Sequence, residues 1–120
     1  FIRETGLQLR FSTLEIENLP ELHKTGQQLA FFDMNKLQFP VVVRNFQPGD
    51  RFRPLGMTGT QKVKKYFIDH KIPVKQRSRC PVLVSRDRII WVVGHRIDEG
   101  YKVNSATRSV LRVEISKPPC

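Results

Sequence analysis

The sequence predicts an α+β fold, in which a mostly antiparallel sheet has two short helices inserted in the middle of the chain. Three observations support this class. Short β-branched or alternating apolar runs lie toward both ends of the chain, helical spacing of apolar residues is confined to its middle, and proline or glycine residues separate the runs. The chain has 120 residues, which suits one domain with a core of modest size.

Apolar alternation predicts the extended segments in the first third of the chain. Leu7, Leu9 and Phe11 alternate with polar residues, and a one-residue phase shift at Thr13 indicates a β-bulge. Pro40 predicts a sheet edge or a bend, because proline cannot donate a backbone hydrogen bond. The elements predicted here are a strand over 6–17, a connection over 18–27, a buried strand over 29–32, a turn over 33–36 and an extended segment over 37–45.

A turn and an ordered loop are predicted to precede the helical part of the chain. Pro48 and Gly49 indicate a turn over 47–50, since proline fixes φ and glycine supplies a positive φ. Residues 51–59 are rich in proline and glycine. We expect this loop to be ordered, because it contains three apolar anchors, Phe52, Leu55 and Met57.

Helical periodicity predicts two short helices. Thr60 is a candidate N-cap for a helix over 61–70, whose apolar face is formed by Val63, Tyr66 and Phe67. Pro73 interrupts this helix and can occupy the first turn of a second helix over 74–79. The first helix therefore has an apolar side for docking and a basic side for solvent or a ligand.

The last third of the chain returns to strands. Residues 82–84 and 89–93 are β-branched runs whose four-residue connection predicts a hairpin. The second run lacks polar residues, so we expect it to be covered on both faces and to end at Gly94. A final strand over 109–115 is predicted from its alternation, which directs inward Leu111, Val113 and Ile115.

Most of the positive charge lies in one window of the sequence. The chain has a net charge of +10, and residues 44–79 account for +8, with ten basic residues against Asp50 and Asp69. This concentration favours a phosphate-binding face over an ordinary solvated surface. The candidate binding residues are Arg44, Arg51, Arg53, Lys62, Lys64, Lys65, Lys71, Lys75, Arg77 and Arg79.

Five further residues are predicted to support this face or to orient its side chains: Asp50, Phe52, Phe67, Trp91 and Gly94. Because Phe52 is expected to be buried, strand alternation places Arg51 and Arg53 opposite its ring. Asp50 is expected to orient an arginine. Trp91 could stack on a base, but its apolar strand favours packing in the core.

No catalytic or metal-binding constellation is found in the sequence. The glycines at 56–59 do not form a phosphate-binding loop, and the adjacent carboxylates of Asp98 and Glu99 are expected to point apart in a turn. The cysteines and histidines lack metal-ligand spacing, and Cys80 is interpreted as a buried structural residue. We therefore expect no catalytic residue and no metal site in this chain.

Several smaller features bear on location and on the histidines. Two distant cysteines indicate a reduced, cytoplasmic protein, and no apolar run is long enough to span a bilayer. His70 is interpreted as complementing the dipole at the end of a helix. His95 follows Gly94 and is either an RNA contact or an ordinary residue at the rim of a strand.

Five segments carry a resemblance to a known family. They are FFDMNKL at 31–37, PGDRFRPLGMTG at 48–59, KKYFIDHKIP at 64–73, the stretch 77–84 and IWVVGHRI at 90–97. In their order and spacing the chain resembles the C-terminal domain of tRNA(Ile)-lysidine synthetase. The match covers about two thirds of the chain, and the segment at 48–59 is the most specific part of it.

This resemblance implies a function for the basic window. The family uses ATP to attach lysine to the wobble cytidine of an isoleucine tRNA, so the ten candidate residues would bind tRNA(Ile), with the acceptor stem as the expected site. ATP and Mg²⁺ would belong to a catalytic N-terminal domain that is absent from this sequence. The alternative is a structural domain that braces the catalytic domain or a homodimer partner.

The resemblance also implies a division of the chain and a fold. Residues 1–30 would form a linker or edge strand, residues 31–117 the tRNA-binding domain and residues 118–120 a tail. The fold would be similar to that of a domain of the phenylalanyl-tRNA synthetase β-chain.

Overall fold

A computed structural model describes residues 8–15, 28–77 and 80–117. The strands are β1 (Gln8–Glu15), β2 (Leu29–Asp33), β3 (Val41–Arg44), β4 (Arg51–Phe52), β5 (Gln61–Lys62), β6 (Val82–Ser85), β7 (Arg88–Val92), β8 (Arg96–Ile97) and β9 (Ser109–Lys117). The helices are α1 (Val63–Asp69) and α2 (Val74–Arg77), with 3-10 turns at Met34–Lys36 and Glu99–Tyr101. The predicted connection over 18–27, the predicted tail and candidate residue Arg79 lie outside the described residues.

The described strands form three antiparallel sheets. The first has the order β1-β9-β2, the second has the order β3-β6-β7-β8, and the third contains only β4 and β5. Both helices lie between β5 and β6 in the chain. The predicted fold class, a mostly antiparallel α+β domain with two short helices in its middle, is confirmed.

The register of β1 on β9 differs from the predicted bulge. Thr13 pairs with Leu111 in a regular stretch, and the irregularity lies between Gln8 and Leu9 instead. The phase shift has another cause, because apolar residues of β1 lie on both of its faces. Phe11 is 44% exposed on one face, and Leu14 is half-buried on the other, without a bulge between them.

The central strands of the second sheet, β6 and β7, are covered on both faces, which explains their lack of polar alternation. Leu83 of β6 and Trp91 of β7 belong to a core cluster shared with β2 and β9. Val84 and Val92 belong to a second cluster shared with Phe52 and with the apolar face of α1. The residues buried in that second cluster include Val63, Tyr66 and Phe67, as predicted from their helical spacing.

Helix α1 begins two residues later than the sequence predicts. Gln61 and Lys62 pair with β4 as a strand, so Thr60 is not an N-cap. The Val63 N–H donates to the Asp50 carbonyl at 2.8 Å, and this backbone bond takes the place of a side-chain cap. Neither α1 nor α2 is long or apolar enough to cross a membrane, and the other described residues form no such helix.

Candidate nucleic-acid interface

A basic groove of about 720 Å³ lies beside β4 and the loop that follows it. Four cations line it, against the carboxylates of Asp87 and Asp98. Hydroxyl groups of Thr58, Thr60 and Tyr101 also reach this surface. Such a mixture of cations and hydrogen-bond donors suits phosphate oxygens. We define the basic groove by its cations, Lys36, Arg51, Arg53 and Arg88.

Strand alternation around a buried ring directs two of these arginines to the groove. Phe52 is only 3% exposed and packs against Tyr66 at a centroid distance of 5.5 Å. Arg51 and Arg53, on either side of Phe52, both line the groove, and Phe52 itself contributes to its lining. Lys62 lies directly opposite Arg51 in the β4–β5 pair, so the two residues share a face of this small sheet.

The loop after β4 is held by two carboxylates and by one of its three predicted apolar anchors, the buried Phe52. Leu55 and Met57 are 38% and 44% exposed, so the prediction that they anchor the loop is wrong. Asp98 accepts a hydrogen bond from the Arg53 N–H at 2.8 Å, and Glu99 accepts one from the Gly56 N–H at 2.8 Å. The adjacent acidic pair thus fixes the backbone that carries Arg53.

Two cations of the groove lie outside the basic window and were missed by sequence reasoning. Lys36 ends the 3-10 turn that Asp33 caps through a bond from the Asn35 N–H at 3.1 Å. Arg88 begins β7, directly after the hairpin turn. A hairpin that returns beside β4 brings Arg88 to Arg51, although the two are far apart in sequence. In the sequence, the position of Arg88 at the exposed tip of a predicted hairpin was the one feature that could have indicated its place on this surface.

Arg44 is engaged by Asp50, in agreement with the predicted orienting role of that carboxylate. The two groups form two hydrogen bonds, at 2.9 and 3.1 Å, and Asp50 also accepts the Gln47 N–H at 2.8 Å. Burial raises the pKa of Asp50, but the bonds from Arg44 and Gln47 outweigh it and hold the pKa below its ordinary value. Asp50 therefore stays ionised at neutral pH.

The other candidate cations lie on and after the helices. Lys64 and Lys65 are exposed on α1, and Lys65 forms an ion pair with Asp69 at 2.9 Å. Arg77 donates from Nε to the Ile72 carbonyl at 3.1 Å, so it helps to close the turn before α2. Lys71 and Lys75 are also exposed. The contribution of these residues to binding stays a prediction.

Trp91, Gly94 and Cys80 support the fold and do not line the basic groove. Trp91 is 1% exposed and packs edge-on against Phe32, so it lies in the core as predicted. Gly94 has a φ of +83° in the turn after β7, a conformation that favours glycine. Cys80 is buried, with its Sγ 3.4 Å from Nε2 of His95. Among the described residues, no three His, Cys, Asp or Glu side chains form a metal-binding group.

Comparison with known proteins decides the family. The sequence model of the family described as "TilS substrate C-terminal domain" matches residues 41–115, which is more than half of the chain. The chain belongs to this family. A tRNA(Ile)-lysidine synthase from Caldanaerobacter subterraneus subsp. tengcongensis is 41% identical to this chain over 87% of the chain's length. The domain spans 22% of that relative's length.

Two solved structures are similar to the TilS C-terminal domain described above. A crystal structure of a TilS C-terminal domain superposes with a TM-score of 0.75 at 27% identity, and the match covers 94% of this chain and 87% of that one. An N-terminal fragment of the phenylalanyl-tRNA synthetase β-subunit from Pyrococcus horikoshii has a TM-score of 0.70 at 13% identity, covering 90% and 39%. The second match shows a shared fold.

Proposed function

We propose that this chain is the tRNA-binding domain of a tRNA(Ile)-lysidine synthase and that it catalyses no reaction by itself. The observation that carries the proposal is the basic groove, in which Arg51 and Arg53 meet Lys36 and Arg88. A-form RNA presents its backbone and a wide minor groove to proteins, so closely placed arginine forks suit its phosphates. The names of this chain's relatives, tRNA(Ile)-lysidine synthases, support tRNA as the RNA in question.

In this proposal the groove holds the tRNA body while another part of the protein carries out the chemistry. That part would use ATP, with Mg²⁺, to join lysine to the wobble cytidine of tRNA(Ile), in the bacterial cytoplasm. The acceptor stem is the proposed binding region, since it lies far from the anticodon.

A filter-binding titration of the 120-residue chain with tRNA tests the proposal. We expect retention at low salt and a steep loss of affinity as salt rises, because binding releases counterions from the phosphates. The double substitution Arg51→Ala and Arg88→Ala should lower affinity about tenfold or more, and should reduce the salt slope by about 0.7–0.9 for each lost phosphate contact. The matched control is Arg10→Ala combined with Arg108→Ala, two exposed arginines that do not line the groove.

The result that would overturn the proposal is an absence of tRNA retention at low salt. Equal losses from the groove variant and from the matched control would assign binding to diffuse charge and not to the groove. Circular dichroism of each variant separates lost binding from lost folding.

A structural role is the second candidate function, and two exposed apolar side chains favour it. Ile68 near the end of α1 is 53% exposed, and Val74 at the start of α2 is 73% exposed. Side chains of this kind are typical of a surface that packs against another domain or a second copy of the chain. Sedimentation velocity of the chain, alone and with the catalytic part of the protein, would detect such an association.

A further inference from the structure

A second cavity of about 610 Å³, the histidine cleft, lies between β2, the end of α1 and β8. We define it by four side chains, Tyr66, His70, His95 and Arg96. Its walls combine these polar groups with apolar residues such as Phe31 and Ile97. A cavity of this size that presents both apolar surface and converging polar groups suits a small organic group with polar edges.

The histidine cleft contains a ready-made stack of two rings. The rings of Tyr66 and His70 lie with their centroids 4.0 Å apart and an angle of 27° between their planes. His70 Nδ1 is 3.0 Å from the Tyr66 carbonyl oxygen, and since a carbonyl only accepts, Nδ1 carries the hydrogen. Tyr66 is buried while His70 is exposed. A flat ligand placed on His70 would therefore extend a stack that is already fixed in orientation.

Polar groups beside this stack can recognise the edge of such a ligand. The Arg96 guanidinium donates to the Leu55 carbonyl at 3.4 Å. Burial raises the pKa of the Tyr66 hydroxyl above its ordinary value, and Arg96, which is close to this hydroxyl, partly opposes that rise. Burial lowers the pKa of His95, and the nearby charge of His70 lowers it further, so His95 is neutral at pH 7. A neutral imidazole and a guanidinium together offer donors and an acceptor.

One backbone segment separates the histidine cleft from the basic groove. Pro54 forms a β-bridge with Asp98, and the Leu55 N–H donates to the Ile97 carbonyl at 3.0 Å. Arg53, before this bridge, lines the basic groove, whereas Leu55, after it, lines the histidine cleft. A polynucleotide whose phosphates contact Arg53 therefore lies within a few residues of the cleft.

We infer that the histidine cleft binds the base of an unpaired nucleotide of the RNA whose backbone lies in the basic groove. The inference rests on the proposed function. Aromatic and histidine rings commonly receive RNA bases by stacking, and a base can leave its helix for such a site only where it is unpaired. Cations on the groove side and an aromatic stack on the cleft side match the backbone and the base of one strand.

Two RNA hairpins with the same duplex test this inference on the 120-residue chain. One is blunt, and the other has a short single-stranded extension that contains 2-aminopurine, whose fluorescence falls on stacking. We expect the extended hairpin to bind more tightly and its fluorescence to be quenched. His70→Ala should weaken binding of the extended hairpin about 5- to 150-fold and leave the blunt one unchanged, because one stacked base is lost.

Matched variants keep the outcomes distinct. His70→Phe retains a ring and should keep most of the affinity that the single-stranded extension adds. Arg51→Ala should weaken the binding of both hairpins alike. Equal binding of the two hairpins to the unmodified chain would overturn the inference and leave the proposed function standing. Binding of neither hairpin at low salt would overturn the proposed function and the inference with it. The comparison on the unmodified chain does not depend on whether a variant folds.

Discussion

Arg44 and Asp50 form a two-pronged ion pair, with Nη1 2.9 Å from one carboxylate oxygen and Nη2 3.1 Å from the other. The same carboxylate accepts the Gln47 N–H, so one side chain joins the end of β3 to the turn before β4. The side chain of Asp50 is only 12% exposed. Arg44, which was predicted from the sequence to bind a ligand, therefore also fixes the backbone that leads into the basic groove.

Removing this carboxylate should destabilise the domain. Asp50→Ala deprives three donors of their acceptor, and we expect the free energy of unfolding to fall by about 1.5–3 kcal/mol, the usual range for hydrogen bonds to a charged group. Urea denaturation monitored by circular dichroism measures the change. The control is Asp87→Ala, which removes an exposed carboxylate from a hairpin turn. Equal stability of the two variants would contradict the structural role of Asp50.

The exposed lysines of α1 offer a test of the wider basic window. Lys64→Ala combined with Lys65→Ala should weaken tRNA binding about tenfold or more if both contact phosphates, and should leave the thermal midpoint unchanged because both side chains are exposed. Filter binding and a thermal melt give the two readouts. Arg10→Ala combined with Arg108→Ala, two exposed arginines outside α1, is the charge-matched comparison. Unchanged affinity of the lysine variant would remove α1 from the binding surface.

Backbone conformation at Gly94 predicts a stability effect that is independent of binding. With φ at +83°, an alanine at this position should cost about 1–2 kcal/mol, the strain of an L residue in the left-handed region. Steric overlap adds little, because the nearest atom to an added Cβ is Ile115 Cδ1 at 3.8 Å. Gly59→Ala, at a glycine without a positive φ and with open space around it, should have a smaller effect. Urea midpoints that fall equally would count against this account.

The buried position of His95 predicts a dependence of stability on pH. Burial, helped by the charge of His70, lowers the pKa of His95 below its ordinary value of 6.5. The unfolded chain then binds the proton more readily than the folded one, so this stabilisation is fully present above pH 6.5 and is lost as pH falls through the lower native pKa. Urea midpoints measured between pH 7.5 and 5 should decrease, and His95→Gln should flatten the decrease. An identical slope in the variant would contradict the prediction.

The fold was largely predictable because its strands carry local signals. The hairpin of β6 and β7 follows from two β-branched runs around a short turn, and the burial of Val63, Tyr66 and Phe67 follows from helical spacing. These patterns depend on neighbours along the chain. The start of α1 was wrongly predicted because the pairing of β5 with β4 depends on a partner that lies nine to eleven residues away in sequence.

The candidate site was only partly predictable, because topology and not sequence distance decides which cations meet. Arg51 and Arg53 followed from alternation around Phe52, but Lys36 and Arg88 join them through the packing of separate elements. The stacking of the Tyr66 and His70 rings was not predicted either. Although one turn of helix separates these residues, ring stacking depends on side-chain rotamers that the sequence does not specify.

The pairing of Gln8 with Lys117 has a consequence for protein engineering. The two ends of the described strands run side by side, so a short linker could join them, and new termini could be cut at the exposed turn of Arg86 and Asp87. Such a circular permutant would keep every strand neighbour. Because these two ends lie side by side, the domain could also be inserted into a surface loop of an unrelated protein.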